Sequence, residues 1–215
     1  MTKTEKNEMS VVLEGLKDSK TFRETFFWIV DSAGKKVPFI QNSAQRDYYK
    51  TKSDNDLILK ARKLGFSSEI EGDFLFDCIM VPNTNAVTLS HTMDDTKIHM
   101  HRIQYFIDTV GTGKQKIEVT LDTQNERELY FPETNSYYWI GSAGSTRFGR
   151  GRDVSRLHCS EVAHWRDQGV LTAVMEARRK VGSKTALETT ARGVGEKFYQ
   201  TWEEAGDPKS WSPWK

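Results

Sequence analysis

Short apolar runs alternate with longer amphipathic segments from residue 56 onwards, with turn residues between them. The predicted strands cover residues 56–62, 86–90, 128–131, 137–140, 154–159 and 185–190. The predicted helices cover residues 67–80, 94–110, 168–181 and 195–205. Because strands that alternate with helices of this length form mainly parallel sheets, the pattern predicts an α/β fold with helices on both faces. In such sheets, ligands bind beyond the carboxyl ends of the strands.

The chain is long enough, at 215 residues, for one domain with a substantial core. Residues 1–40 precede most of the alternation and are predicted to form an N-terminal extension that packs on a core of residues 41–215. The composition, 37% apolar and 28% charged, is ordinary for a globular protein. The formal net charge of +1 gives no overall positive field, so any contact with nucleic acid must come from local basic patches.

Targeting and redox signals are few. No stretch reaches the roughly 18 apolar residues of a membrane span, and the polar N-terminus lacks the apolar core of a signal peptide. Cys78 and Cys159 lie in apolar surroundings and are too few for a disulfide framework, which predicts buried free thiols. We therefore expect a cytosolic protein with no membrane partner.

The stretch Lys60-Ala-Arg-Lys-Leu-Gly-Phe-Ser-Ser68 joins a predicted strand to a predicted helix. A glycine turn followed by hydroxyl side chains at a helix start is the layout of a phosphate-binding loop, in which backbone N–H groups hold polyphosphate. The stretch departs from the standard G-x-x-x-x-G-K-[ST] pattern, because Phe66 stands where the lysine is expected and Lys60 opens the loop instead. Taken alone, the solvated end of an edge strand explains the same residues.

Two further motifs follow in order, Leu157-His-Cys-Ser-Glu161 and Glu188-Thr-Thr-Ala-Arg-Gly193. Together the three resemble the ATPase domain of the large terminase subunit, the DNA-packaging motor of tailed bacteriophages. Near relatives in that family carry a K-x-R-x-x-G-x-S loop, an L-H-x-S-E acidic motif and an S/T-T-A-x-G motif. The resemblance extends from about residue 39 to the C-terminus. It implies a P-loop NTPase of the additional-strand, catalytic-glutamate type, with residues 41–215 as its ATPase domain.

The resemblance implies roles for the loop residues. Lys60 and Arg62 would hold the phosphates and take part in catalysis, and Ser67 would place a hydroxyl on Mg²⁺. A plain N-cap is the rival role for Ser67. Because Phe66 cannot donate to phosphate, the whole lysine function would fall on Lys60. The ATP-binding residues implied are Gln45, Lys60, Ala61, Arg62, Lys63, Leu64, Gly65, Phe66, Ser67 and Ser68.

The acidic motif implies a catalytic glutamate, Glu161, that polarises the attacking water. Glu161 ends an apolar strand, where a carboxylate is unfavourable unless it faces a site; the alternative is an acid favoured by a helix start. Ser160 stands where most phosphate-loop ATPases carry Asp, and would hold Mg²⁺ partly through water but without a charge. Thr189 and Thr190 would couple hydrolysis to DNA movement, unless the third motif is only a strand-to-helix connection.

A Gly- and Arg-rich loop, residues 141–152, precedes the acidic strand. Terminase ATPases carry an arginine in such a loop that acts on the ATP of the neighbouring subunit, and Arg150 is the first candidate for this role. Arg147 and Arg152 are the alternatives. A solvated basic loop, or one that contacts DNA phosphates, has the same composition.

The stretch Asn42-Ser-Ala-Gln45 resembles the adenine-reading motif of the family. A Gln side-chain amide can bond both a donor and an acceptor atom of the base, which assigns that role to Gln45. An ordinary helix start, with Asn42 or Ser43 as its cap, fits the same residues.

The histidines indicate no zinc site. His99 and His101 are two positions apart on a predicted helix, so they face different directions. His158 and His164 flank the acidic motif without a Cys or carboxylate partner at ligand spacing.

The resemblance implies an enzyme, an ATPase that uses ATP and Mg²⁺ to pump double-stranded DNA into procapsids in the host bacterial cytoplasm. Its expected partners are double-stranded DNA, bound without sequence preference, the portal protein and the small terminase subunit. Copies would assemble as a homo-oligomeric ring, and the isolated domain would be a monomer. The RNase H-like nuclease domain of the family is expected to be absent, with no nuclease activity. The alternatives are a helicase-like DNA translocase and a non-hydrolysing nucleotide-binding assembly module.

Overall fold

The computed structural model describes residues 16–110, 117–143, 153–193, 197–204 and 209–211. Its helices are α1 (Ser19–Phe26), α2 (Ser43–Thr51), α3 (Phe66–Met80), α4 (Met93–Thr109), α5 (Gln168–Glu176) and α6 (Lys197–Glu204), with a 3-10 helix at Val162–His164. Its strands are β1 (Trp28–Val30), β2 (Lys36–Pro38), β3 (Asn55–Lys60), β4 (Asn85–Ser90), β5 (Thr123–Gln124), β6 (Glu128–Phe131), β7 (Ser136–Ser142), β8 (Arg156–Ser160), β9 (Lys184–Thr189) and β10 (Lys209–Trp211).

One eight-stranded sheet has the order β10-β3-β9-β8-β4-β7-β6-β5. The strands from β10 to β7 run parallel to their neighbours, and β6 and β5 continue the sheet as antiparallel strands. β9 follows β8 in the chain but lies between β8 and β3. The register pairs Leu59 with Thr189 and Ser160 with Glu188, so the carboxyl ends of β3, β9 and β8 lie side by side. The predicted mainly parallel sheet is confirmed.

Helices cover both faces of this sheet, because successive side chains of its central strands point to opposite sides. Ile58 and Ala186 belong to a buried cluster that includes side chains of α1, α3 and α4. Leu157 and Leu187 belong to a second buried cluster, with side chains of α5 and α6. β3 and β9 therefore contribute to both cores, which explains why their central residues are apolar on both faces, whereas β8 contributes Leu157 and Cys159 to the second core only.

The predicted helix over 168–181 is too long, since α5 ends at Glu176. Val154 explains the difference. Its N–H donates to Ala177 O at 3.1 Å and its carbonyl accepts from Arg179 N at 2.8 Å, which forms an isolated parallel bridge centred on Arg178. These tertiary hydrogen bonds replace further helical turns. The strand predicted over 154–159 is also shorter at its start. β8 begins at Arg156, and Val154 forms the isolated bridge instead.

Cys78 and Cys159 are both buried and free, as predicted. Burial raises the pKa of both thiols above the ordinary range, so neither is a ready nucleophile. Among the residues that the structure describes, no helix has the length and apolar character needed to cross a bilayer.

A buried ion pair joins α1 to α3. Arg23 Nη1 lies 2.8 Å from Glu69 Oε2, and Arg23 Nη2 donates to Glu69 Oε1 at 2.8 Å. The two side chains are 0% and 1% exposed. Gln41 Nε2 adds a third bond, to Glu69 Oε1 at 2.6 Å. The pair thus ties the chain before β3 to the helix that follows the loop of residues 61–65.

Arg23→Met should lower the free energy of unfolding by about 3 kcal/mol or more, because Glu69 would keep a buried charge without its guanidinium. The double change Arg23→Met with Glu69→Met should recover part of that loss, since no charge is then left unpaired. Urea denaturation followed by circular dichroism measures both. Lys20→Met is the matched control: the Lys20–Glu24 pair is 38% and 25% exposed, and its loss should change stability by less than about 1 kcal/mol. Equal stability of Arg23→Met and Lys20→Met would contradict this account.

Candidate functional site

The loop of residues 61–65 connects β3 to α3 and is braced from the start of α2. Gln45 Nε2 donates to Gly65 O at 2.8 Å, and Asn42 Nδ2 donates to Leu64 O at 3.0 Å. Asn42 and Gln45 also cap α2 reciprocally, each side chain bonding the backbone N–H of the other. The Gln45 amide thus hydrogen-bonds both the loop and the start of α2. These contacts do not test the adenine-reading role, which stays a prediction.

Gly65 adopts a backbone conformation that suits glycine. Its φ is 77° and it immediately precedes α3, whose first turn points backbone N–H groups into the loop. A Cβ added at Gly65 would lie 2.7 Å from Gln45 Nε2. Arg62 and Lys63 are exposed on this loop, whereas Phe66 is 1% exposed and packs against Tyr48 with ring centroids 5.6 Å apart. The apolar side chain that departs from the standard motif therefore belongs to the core and not to the loop surface.

Lys60 lies between two carboxylates at the carboxyl end of β3. Its Nζ is 3.1 Å from Glu161 Oε1, beyond β8, and 3.8 Å from Glu188 Oε2, on β9. The side chains of Lys60 and Glu188 are 8% and 0% exposed, and that of Glu161 is 29% exposed. The structure thus brings the first residue of the loop motif together with the acidic motif and the first residue of the third motif.

Glu161 occupies a left-handed backbone conformation, with φ 54° and ψ 44°, directly after β8. Such a conformation is unfavourable for a side chain of this size and persists where surrounding contacts impose it. Its Oε2 accepts hydrogen bonds from the N–H and the hydroxyl of Thr190 at 3.2 and 3.1 Å. Thr189 Oγ1 in turn accepts from Ala163 N at 3.2 Å. The acidic and third motifs are therefore joined directly.

The carboxyl of Glu161 is held in its ionised form. Burial by itself would raise its pKa, but the ammonium of Lys60 and the N–H of Thr190 outweigh burial and lower that pKa. The residue makes no side-chain capping bond to the 3-10 helix that follows it. Its carboxylate contacts Lys60 and Thr190, and Oε2 also lies 3.5 Å from His164 Nδ1 at the end of that helix.

Glu188 is a site residue that the motif comparison did not single out. Its Oε1 accepts from Ser67 Oγ at 2.5 Å and from Ser160 Oγ at 3.1 Å, and lies 3.1 Å from His158 Nε2. Burial opposes its ionisation, but the bond to His158 and the charges of His158 and Lys60 lower its pKa well below the ordinary range. The signal in the sequence was a carboxylate inside an apolar run, at residue 188 of the predicted strand 185–190.

A buried polar cluster continues from His158 toward α4. His158 Nδ1 lies 3.3 Å from Thr88 Oγ1 and 3.7 Å from Glu71 Oε1. Glu71 is bonded by His99 and by Arg102 Nη1, the latter at 2.6 Å. Glu71, His99 and His158 bring potential metal-ligand atoms close together, which the spacing of the histidines did not indicate. The guanidinium of Arg102 already neutralises the carboxylate, however, so we interpret the cluster as a hydrogen-bonded network rather than a metal centre.

Arg147, Arg150 and Arg152 fall outside the described residues. Ser68 is half-buried in the first turn of α3, one residue beyond the hydroxyl that bonds Glu188.

Gly65→Ala should destabilise the protein more than Gly34→Ala, by about 1–2 kcal/mol. Both glycines have nearly the same φ, at 77° and 76°, so both changes carry the same left-handed strain. Only the Cβ at residue 65 meets another side chain, whereas nothing lies within 4 Å of a Cβ at residue 34. Thermal and urea unfolding of the two variants measure the difference, and equal losses would show that Gln45 does not brace the loop.

Lys60→Met should lower the free energy of unfolding by about 3 kcal/mol at pH 7, because two partly or fully buried carboxylates lose their cation. The loss should shrink toward pH 4. In the wild type, carboxyls with a lowered pKa stabilise the fold above their ordinary pKa, and this stabilisation is lost as the pH falls. Without Lys60 the pKa of both carboxyls rises. The unpaired carboxylates of the variant are therefore neutralised by protonation at a higher pH than in the wild type, and the difference in stability shrinks.

Urea denaturation at pH 7 and pH 4 measures both values for Lys60→Met. Lys63→Met, on the exposed part of the loop, is the control and should show little loss at either pH. A loss for Lys60→Met that grows as the pH falls would contradict the assignment.

Comparison with known proteins gives no match by sequence: neither a protein-family model nor a curated protein matches the chain. Solved structures do match. The large terminase ATPase domain of Thermus phage P74-26 is 14% identical, with a TM-score of 0.65 over 76% of this chain and 70% of that chain. The HK97 bacteriophage large terminase is 15% identical, with a TM-score of 0.69 over 91% of this chain and 43% of that chain.

The large terminase of a thermophilic bacteriophage, solved in complex with ADP, is also similar. It is 10% identical, with a TM-score of 0.63 over 80% of this chain and 44% of that chain. At such identities the likeness concerns the fold. The resemblance suggested by the three motifs is thereby confirmed at that level: the described chain has the fold of the ATPase domain of phage large terminases.

Proposed function

We propose that this chain is the ATP-hydrolysing motor domain of a phage large terminase, which moves double-stranded DNA into procapsids. The observation that carries the proposal is the position of Lys60 beside Glu161 and Glu188, at the end of a strand that leads into a loop and a helix N-terminus. A cation, a water-activating acid and a loop of backbone N–H groups are the groups that phosphoryl transfer requires.

The order of the strands supports a P-loop NTPase of the additional-strand, catalytic-glutamate type. β9 stands between β3, which carries Lys60, and β8, which precedes Glu161. Nucleotides bind beyond the carboxyl ends of strands in such sheets, and all three motifs lie at that edge. The thermophilic-phage terminase in complex with ADP adds a nucleotide-bound protein of the same fold.

The loop would bind the phosphates of ATP through its backbone N–H groups and through Lys60, with Arg62 exposed beside it. The core position of Phe66 leaves Lys60 as the lysine of the loop. The donor set also fits Mg²⁺, which prefers oxygen ligands, because Ser67, Ser160 and Glu188 bring two hydroxyls and a carboxylate together. When bound with ATP, Mg²⁺ would neutralise charge on the β- and γ-phosphates.

Glu161 would orient and polarise the attacking water. A polyphosphate against the loop would attract the ammonium of Lys60, which now lies 3.1 Å from Glu161 Oε1, and leave that oxygen to accept a hydrogen bond from water. Thr190 bonds the other oxygen and begins the segment after β9. Loss or gain of negative charge at the γ-phosphate would therefore be transmitted to residues 190–193, with Thr189 fixed to Ala163 as the anchor.

The partners in this proposal come from the likeness to phage large terminases, and no residue of the site identifies them. A large terminase would act as a ring in the host cytoplasm, with double-stranded DNA, the portal protein and the small terminase subunit as partners, and Arg150 would reach the ATP of a neighbour. The ionised Glu161 argues for hydrolysis over a non-hydrolysing assembly module, because a purely structural nucleotide site does not need a water-activating acid. Strand-separation assays distinguish a helicase-like translocase.

Glu161→Ala should reduce ATP hydrolysis in the presence of Mg²⁺ by about 100-fold or more, the usual contribution of a positioned general base. Phosphate release measured across a range of protein concentrations tests this. Glu126→Ala is the control, since the Glu126 carboxylate is 81% exposed, and it should leave hydrolysis unchanged. Hydrolysis that is indifferent to Glu161, or absent from the wild type, would overturn the proposed mechanism.

Phosphate release measured against protein concentration also tests whether neighbouring copies complete each other's ATP site. Specific activity that rises with protein concentration is expected if Arg150 completes the site of a neighbour, and Arg150→Ala should abolish that rise. Activity strictly proportional to concentration would remove the intersubunit role while leaving the ATPase assignment intact.

A further inference from the structure

Ser160 poses a chemical problem at this site. Phosphate-loop NTPases hold magnesium with the loop Ser/Thr and an aspartate at the end of the neighbouring acidic strand. Here that strand, β8, ends in an uncharged hydroxyl. The β8–β9 register places Glu188 directly opposite Ser160, so a carboxylate stands one strand away at the same level of the sheet.

The two carboxylate oxygens of Glu188 differ in their hydrogen bonding. Oε1 accepts hydrogen bonds from Ser67 and Ser160 and lies 3.1 Å from His158 Nε2. Oε2 is buried and accepts no hydrogen bond from the described residues; the nearest recorded cation is Lys60 Nζ, at 3.8 Å. A buried carboxylate oxygen that accepts no hydrogen bond, with the Lys60 ammonium 3.8 Å away, keeps its lone pairs available to a metal ion.

Ser67 has the orientation that this role needs. Its hydroxyl donates its proton to Glu188 Oε1 at 2.5 Å, which leaves the lone pairs of its oxygen for a metal ion. A hydroxyl and a carboxylate are hard oxygen ligands of the kind that Mg²⁺ prefers, and this bond joins the two side chains at the first turn of α3. His158 Nε2 lies 3.1 Å from Glu188 Oε1, and Lys60 Nζ lies 3.8 Å from Oε2.

We propose that Glu188, on β9, provides the carboxylate that holds the magnesium ion of the bound nucleotide, together with Ser67 and in place of the aspartate that Ser160 replaces. This inference rests on the proposed function. It assigns the metal-binding acid and the water-activating acid to different strands, with Lys60 between them.

The test measures binding, not turnover. The dissociation constant of a fluorescent ADP analogue is determined with excess Mg²⁺ and with EDTA, and the ratio of the two values gives the magnesium effect. We expect the wild type to bind about tenfold or more tightly with Mg²⁺ than with EDTA, and Glu188→Gln to lose most of that ratio. Electron paramagnetic resonance of Mn²⁺ with ADP should show the same loss of bound metal.

Two further variants sharpen the test. Glu161→Gln is the matched control, because Glu161 also contacts Lys60. It should retain the magnesium effect although it removes the water-activating acid. Glu188→Asp keeps the negative charge on β9 but withdraws the carboxylate by one methylene, so it should lose about fivefold or more of the magnesium effect. Adding Ser160→Asp to Glu188→Gln should restore part of the effect, because a carboxylate returns to the end of β8.

The outcomes separate this inference from the function on which it rests. If the wild type binds no nucleotide, the proposed function fails. If the wild type binds nucleotide and the magnesium effect is absent, or persists in both Glu188→Gln and Glu188→Asp, the ATP site stands and the role of Glu188 is overturned. Loss of the effect in Glu161→Gln and not in the Glu188 variants would assign the metal to the other carboxylate.

Discussion

The contact of one buried ammonium with two carboxylates is the interaction on which the site depends. Lys60 lies at the end of β3, Glu161 just beyond β8 and Glu188 on β9 between them. Two carboxylates this close would repel each other and resist ionisation if the cation were absent. Lys60 and the hydrogen bond from Thr190 lower the pKa of Glu161, whereas His158 and then Lys60 lower the pKa of Glu188. Charge balance at this point holds the ends of three strands in one arrangement.

The sheet makes that arrangement possible. Parallel strands present their carboxyl ends at one edge, and the placement of β9 between β3 and β8 brings residues of three separate motifs within hydrogen-bond distance. The apolar faces of the same strands pack into two cores, so the strand ends are positioned by a rigid layer. Polar side chains at this edge are then satisfied mainly by one another, which makes the site sensitive to the charge of whatever binds there.

Much of the fold could be predicted from residue patterns. The alternation of apolar runs and amphipathic segments predicted the parallel sheet and its helices, because both periodicities are local properties of the chain. Errors came where long-range hydrogen bonds replaced local ones, as at Val154, whose bonds to Ala177 and Arg179 end α5 early. Phe66 shows the same limit in the site: its mismatch to a motif was visible in the sequence, but its burial against Tyr48 was not.

Residue patterns were enough to predict the fold class, the glycine turn before α3 and each of the three motifs, since these are local properties of the chain. The place of Glu188 in the site, with His158 beside it, became visible in the folded structure. Lys60 and Glu161 are 101 positions apart, and Ser67 and Glu188 are 121 apart. No periodicity or spacing reports contacts at that separation, because they arise from the order in which strands assemble into the sheet and from the register between them.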